Sequence, residues 1–139
     1  MDANEQKKSK VPFYLIPKRA LAQVALAMQV GAEKYGAYDF REKPAKSMVA
    51  YLSALQRHIA KVEDGVDFEL VREEEGTVYA HVSHLAFVAA GALVMLDALE
   101  HNNLTDDRSP SGKPDAFWVG ADETSQIIHQ VLGGKDDEL

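Results

Sequence analysis

Residues 85–96 read LAFVAAGALVML, twelve apolar residues in succession. Around them, apolar side chains recur at helical spacing from Val78 onward, so we predict a helix over residues 77–101. A helix that is apolar on every face must be covered on every face. It is therefore expected to lie at the centre of the fold or to pack against another subunit.

Two more predicted helices precede this one in the sequence. The first begins near Pro17, because proline suits a first helical turn, and ends at Gly36. The second runs from about Pro44 to Asp64 and is ended by Gly65. Their apolar stripes are Leu21, Val24, Ala25, Met28 and Ala32 in the first, and Met48, Tyr51, Leu52, Leu55, Ile59 and Val62 in the second.

The ends of the chain differ from this helical region. Residues 1–11 are polar and without period, which predicts a disordered tail before a helical domain over residues 12–103. Residues 104–139 begin turn-rich and end in an amphipathic segment, which predicts a loop followed by a short C-terminal helix. The nearest strand candidates, Val11–Ile16 and Phe117–Val119, are short, so the predicted class is all-α.

The composition excludes several functions. Among 139 residues there is no cysteine, which excludes disulfides, cysteine zinc sites and a cysteine nucleophile. The 15 Lys and Arg against 22 Asp and Glu give a net charge of −7, which argues against direct nucleic-acid binding. The N-terminus lacks a signal-peptide core and the longest apolar run is too short for a bilayer. A cytoplasmic protein without a membrane segment is therefore predicted.

Histidines and one arginine stand beside positions that should be buried. His58 lies at the edge of the second helix stripe, and His81 and His84 are three residues apart in the third predicted helix. They could hold a metal ion or a phosphate, or they could be ordinary histidines of a core or an interface. Arg57 offers a planar fork to a phosphate, although an ion pair with Glu63 or Asp64 would use the same group.

Carboxylates supply the other half of a possible site. Glu33 lies near the C-terminal end of the first helix, where the helix dipole disfavours an anion unless a cation is near. The connection over residues 65–76 carries Asp67, Glu69, Glu73, Glu74 and Glu75. Oxygen ligands of this kind suit Mg²⁺ or Mn²⁺. Since no phosphate-loop, dinucleotide-binding or nucleophile-elbow motif occurs, metal-assisted phosphoanhydride hydrolysis fits best.

An ordered set of residues between about 15 and 100 carries a family resemblance. It consists of Leu15-Ile16-Pro17, GAEKYG at 31–36, Tyr51, Arg57-His58, Gly65, Asp67, Glu74, Gly76 and the spaced pair His81 and His84. This set resembles phage and bacterial dATP/dGTP diphosphohydrolases, which are similar to the MazG-like all-α nucleoside triphosphate pyrophosphohydrolases. The chain departs from the wider superfamily where Gly36 replaces the second glutamate of an ExxE pair.

The resemblance implies a MazG-like helical bundle whose catalytic domain spans residues 12–103 and whose core is completed in a homodimer or homotetramer. It implies that Mg²⁺ or Mn²⁺ ions hold dGTP or dATP while water attacks between the α- and β-phosphates. The products would be a nucleoside monophosphate and pyrophosphate. The resemblance implies that this reaction adjusts the nucleotide pool during phage replication. The implied site residues are Glu33, Glu74 and His58 as catalytic groups, Lys34, Tyr35, Arg57 and His81 as substrate contacts, and Glu33, Asp67, Glu74 and His84 as metal ligands.

Two other functions stay open at this point. A non-enzymatic helical interaction protein would use the histidines to pack a dimer core. An HD-type phosphohydrolase would release triphosphate or single phosphates, but it usually needs a His-Asp dipeptide, and none occurs here.

Overall fold

The computed structural model describes residues 2–42, 44–73, 75–76, 78–112 and 114–134. The chain divides into two compact units, Met1–Asp107 and Arg108–Leu139. The helices are α1 (Ala3–Lys8), α2 (Lys18–Tyr35), α3 (Met48–Glu63), α4 (His84–Glu100) and α5 (Pro114–Leu132), with 3-10 turns at Phe13–Leu15 and Asp39–Arg41. The strands are β1 (Lys46–Ser47), β2 (Phe68–Arg72), β3 (Val78–Ser83) and β4 (Leu104–Thr105).

The bodies of the three predicted helices are confirmed as α2, α3 and α4. Pro17 precedes the first turn of α2, and Gly36 caps its end with a φ of 95° that suits glycine. Ser47 caps the start of α3, since its side chain accepts a hydrogen bond from the N–H of Ala50. Gly65, at a φ of 85°, closes α3. Because capping depends on neighbouring residues, the sequence predicts both ends of α2 and the end of α3 to within one residue. The predicted start of α3, near Pro44, is wrong, since the helix begins at Met48.

The start of the third helix was predicted wrongly. Residues 78–83 form strand β3, which pairs antiparallel with β2 and places Leu70 opposite His81. Val78 and Val82 fit a helical period, but Val78, Ala80 and Val82 also fit the period of a strand. The partner strand decides between the two, and Ser83 then caps α4 by accepting from the N–H of Leu85.

Other segments also differ from the sequence-based expectation. Residues 3–8, within the segment expected to be disordered, form α1. The C-terminal helix α5 begins at Pro114 and so includes Phe117–Val119, a strand candidate in the sequence. Two short sheets are present among the described residues, so the fold is mostly helical rather than purely α. No helix of the described residues is long and apolar enough to cross a bilayer.

Small residues build the core of the first unit. Ala27, Val82, Ala86 and Ala90 are buried together where α2, β3 and α4 meet. On the side of α4 that faces α3, Gly91 lies so close to Leu55 that a Cβ there would overlap the leucine side chain. Because alanine and glycine face inward, the leucines of α4 point outward, and Leu85, Leu93, Leu96 and Leu99 are all exposed.

Candidate functional site: a cavity and a His-Glu-His cluster

The first unit contains a cavity of about 680 Å³, a size typical of small-molecule sites. Its wall comes from α2, the connection after it, α3, β2 and α4. The polar and aromatic side chains of that wall are Gln29, Lys34, Tyr35, Tyr38, Asp39, Phe40, Tyr51, Arg57, His58, Glu69 and Phe87. The cavity therefore combines two cations, two carboxylates and several rings.

Four residues implied by the family resemblance meet on this wall. Lys34 and Tyr35 come from the last turn of α2, and Arg57 and His58 come from the middle of α3. The Arg57 guanidinium donates to Ser53 Oγ at 3.0 Å, one turn earlier on the same helix, instead of pairing with Glu63 or Asp64. That contact orients the arginine and uses one of its five donors, so the others can bind an anion.

The aromatic side of the cavity lies on a short segment held in place from two directions. Arg41 makes a bidentate pair with Asp97 of α4, with distances of 2.9 Å from Nε and 2.8 Å from Nη2. The same guanidinium lies 4.4 Å over the ring of Tyr38. Asn103, which is buried, donates from Nδ2 to the carbonyl of Phe40 at 2.8 Å. These contacts fix Tyr38 and Phe40 in the wall.

Tyr51 completes this side of the cavity from α3. Burial raises the pKa of Tyr51 above its ordinary value, and the neighbouring Asp39 carboxylate raises it further. The phenol is therefore neutral at physiological pH and can donate a hydrogen bond to a ligand.

A cluster of three side chains lies at the edge of the cavity. His58, Glu69 and His84 each offer one ligand atom, and these atoms all lie within 4.8 Å of one another. The Nδ1 atoms of the two histidines are 2.8 Å apart. Burial lowers the pKa of His58, while the Glu69 carboxylate opposes that change. A lowered pKa keeps the imidazole neutral near pH 7, and neutral imidazole is the form that binds metals.

Three different elements position the cluster. The ring of His58, on α3, stacks on Phe87 with centroids 4.9 Å apart and planes 6° from parallel. Exposure alternates along β2, and Glu69 occupies an inward position between two exposed residues. His84 is the first residue of α4 and only 2% exposed, and its backbone N–H donates to the Asp67 carbonyl at 2.9 Å.

Other described residues that the resemblance implies are not found in the cavity wall or the cluster. Glu33 and Asp67 are exposed and are not among the residues that line the cavity. His81 is also exposed, since it lies on β3 with its ring 6.1 Å from that of Phe68. His81 and His84 thus do not share a helix edge. Glu74 lies outside the described residues.

Glu69 belongs to both the cavity wall and the cluster, but it is not among the site residues that the resemblance implies. The acidic composition of residues 65–76 predicts a loop, but Phe68 and Val71, on either side of Glu69, are residue types enriched in strands. A strand would have placed Glu69 and Val71 on one face. That face is the one turned inward.

Comparison with known proteins adds one match. A family model described as dATP/dGTP diphosphohydrolase, N-terminal, matches residues 2–108. The matched range holds α1 to α4, the cavity and the cluster, whereas α5 lies beyond it. No curated protein and no solved structure matches the chain.

Proposed function

We propose that this chain, which belongs to the dATP/dGTP diphosphohydrolase family whose N-terminal model covers residues 2–108, hydrolyses a purine deoxynucleoside triphosphate. The family description supports nucleotide hydrolysis in general. We propose specifically that the chain cleaves dGTP or dATP between the α- and β-phosphates and releases the monophosphate and pyrophosphate. In a phage-infected cell, that reaction would remove one purine deoxynucleotide from the pool used for replication.

The observation that carries this proposal is the composition of the cavity wall. Lys34 and Arg57 are cations on a protein whose net charge is −7, so a triphosphate needs such a local basic pair to bind. Arg57 can form two parallel hydrogen bonds to one phosphate, while Lys34 supplies a point charge. Tyr35, Tyr38 and Phe40 offer flat apolar faces on which a purine can stack.

A divalent ion is part of the proposal. Mg²⁺ or Mn²⁺, when bound, would neutralise phosphate charge and make water a better nucleophile. The two described carboxylates that the resemblance implied as ligands, Glu33 and Asp67, are exposed and away from the cavity wall. The described residues whose ligand atoms converge are instead His58, Glu69 and His84, and two of these line the cavity.

We also propose that the chain works as a homodimer or homotetramer. The support is the outer face of α4, where Leu85 is 60% and Leu96 is 63% exposed. Contiguous apolar surface of this kind usually marks an interface. A partner subunit packed on this face would remove those leucines from water.

The test of the reaction is product analysis. We would incubate the full chain with dGTP, dATP, dCTP, dTTP and GTP, each with Mg²⁺, with Mn²⁺ and with EDTA, and identify the phosphate product. Metal-dependent pyrophosphate from dGTP or dATP is the expected result. Release of triphosphate would indicate the HD-type reaction, and no turnover of any substrate would favour the interaction protein.

A variant pair tests the cavity itself. Arg57→Gln is expected to lower kcat/KM by about tenfold to a hundredfold, which corresponds to losing a hydrogen bond to a charged group. Arg19→Gln is the matched control, since Arg19 is an exposed residue of α2 that is not part of the cavity wall. Equal activity of the two variants would show that the phosphates bind elsewhere.

A further inference from the structure

Three ligand-type side chains from distant parts of the sequence converge in the first unit. His58 lies on α3, Glu69 on β2 and His84 at the start of α4, and their ligand atoms are within 4.8 Å of one another. Within the residues that the structure describes, no other group of three such side chains converges in this way. The convergence depends on the β2–β3 hairpin, which turns Glu69 inward and leads directly into His84.

The donor set decides which ion suits this place. Mg²⁺ prefers six oxygen ligands and gives up its waters reluctantly, whereas imidazole nitrogen suits transition metals. Two histidines and one carboxylate are the set found in open transition-metal sites. We propose that His58, Glu69 and His84 form a binding site for a divalent transition metal ion, of the series from Mn²⁺ to Zn²⁺, in preference to Mg²⁺.

The spacing of the two rings fits such an ion. Two nitrogens each about 2.1 Å from a metal, at a right angle to each other, lie about 3.0 Å apart. The Nδ1 atoms of His58 and His84 are 2.8 Å apart, so little rearrangement is needed for both to bind one ion. In the metal-free protein one of these ring nitrogens donates a hydrogen bond to the other. A metal ion would take the place of the shared hydrogen, and the donating ring would carry its proton on Nε2 instead of Nδ1.

The surroundings hold the rings in this arrangement. His84 is 2% exposed, and His58 is stacked on Phe87 at 4.9 Å. Both rings are therefore fixed by packing before a ligand arrives, which lowers the entropic cost of binding. Glu69 is half-buried, so its charge benefits from a positive partner more than an exposed carboxylate would.

A role of this ion in catalysis rests on the proposed function, whereas the binding of the ion to His58, Glu69 and His84 does not. His58 and Glu69 line the same cavity as Lys34 and Arg57. An ion held by three protein ligands keeps open positions, which phosphate oxygens of a nucleotide can fill. The metal site would therefore sit at the phosphate end of the cavity.

The test uses Co²⁺ as a spectroscopic probe on the EDTA-treated full chain, without nucleotide. We expect Co²⁺ to bind at one site per chain with visible absorption bands, to be displaced by Zn²⁺, and to remain bound in excess Mg²⁺. Absence of the bands, or displacement by Mg²⁺ at concentrations comparable to Co²⁺, would overturn the proposal.

Variants locate the site. Glu69→Gln and His58→Gln keep side-chain size and are expected to weaken Co²⁺ binding at least tenfold. Loss of a residue that only hydrogen-bonds to a metal ligand costs about 10- to 100-fold in metal affinity, and loss of a ligand should cost at least as much. His81→Gln and Glu63→Gln change exposed residues outside the cluster and are expected to leave binding unchanged. Circular dichroism would establish that each variant is folded, so unchanged binding in folded Glu69→Gln and His58→Gln would refute the site.

The same samples separate this inference from the proposed reaction. Co²⁺ binding that Glu69→Gln weakens, without turnover of any nucleotide, would uphold the metal site and reject the reaction. Turnover with Mg²⁺ that Glu69→Gln leaves unchanged, in a protein that does not bind Co²⁺, would uphold the reaction and reject the metal site.

Discussion

Replacing Gly91 by alanine tests how closely α3 and α4 pack. A Cβ added at this position would overlap the side chain of Leu55 on α3. In the same unit, Gly31 of α2 offers a matched control, because nothing lies within 4 Å of a Cβ built there. Both glycines lie inside helices, so alanine has the same intrinsic advantage at each.

The magnitude follows from two opposing effects. Alanine stabilises a helix interior by about 1 kcal/mol relative to glycine. The added Cβ meets the terminal Cδ2 of half-buried Leu55, and displacing that side chain from its packing costs about 1–3 kcal/mol. Gly91→Ala is therefore expected to destabilise the fold by about 1 kcal/mol, or roughly 4 °C in Tm, whereas Gly31→Ala is expected to stabilise it by up to about 1 kcal/mol.

A double-mutant cycle isolates the contact. With Leu55→Ala in the background, the overlapping atoms are gone, so Gly91→Ala is expected to become stabilising. The change of sign corresponds to a coupling energy of about 2 kcal/mol. Urea denaturation measures the free energy of unfolding of the wild type, the two single variants and the double variant. All four proteins are compared at one fixed concentration, because the stability of an oligomer depends on concentration. If Gly91→Ala stabilised the protein as much as Gly31→Ala, the close packing of the two helices would be refuted.

Four other perturbations have expected outcomes. Asn103→Leu removes the donor to the backbone carbonyls of Phe40, in the cavity wall, and of Glu42, and is expected to lower the free energy of unfolding by about 1–3 kcal/mol in urea denaturation. Asn102 has a φ of 52°, which glycine adopts without steric cost, so Asn102→Gly is expected to leave the free energy of unfolding in urea unchanged or to raise it slightly. The hydrogen bond from Arg41 lowers the pKa of Asp97. The Arg41–Asp97 pair therefore contributes fully to stability above the ordinary carboxyl pKa, and this contribution is lost as pH falls below it. Arg41→Gln is expected to flatten the acid side of a Tm-against-pH curve. Leu96→Glu places a charge on the exposed face of α4, and light scattering is expected to show a smaller assembly than the wild type; an unchanged mass would remove that face from the interface.

Much of the helical framework and part of the cavity could be predicted from the sequence. The bodies of α2, α3 and α4 follow from apolar residues at helical spacing, and proline, serine and glycine mark most of their ends. These signals act between residues a few positions apart, so they need no knowledge of the rest of the chain. The resemblance likewise singled out Lys34, Tyr35, Arg57 and His58, which lie together on the cavity wall.

The remaining features depend on contacts between distant residues. Whether residues 78–83 continue a helix or form a strand was decided by pairing with residues 68–72. That same pairing turned Glu69 inward. His58 and His84 are 26 residues apart in sequence, and their rings meet only because α3 packs on α4. Period and capping are local properties, whereas strand pairing and ring contacts are gained only when the chain closes on itself, and so the tertiary structure alone could decide them.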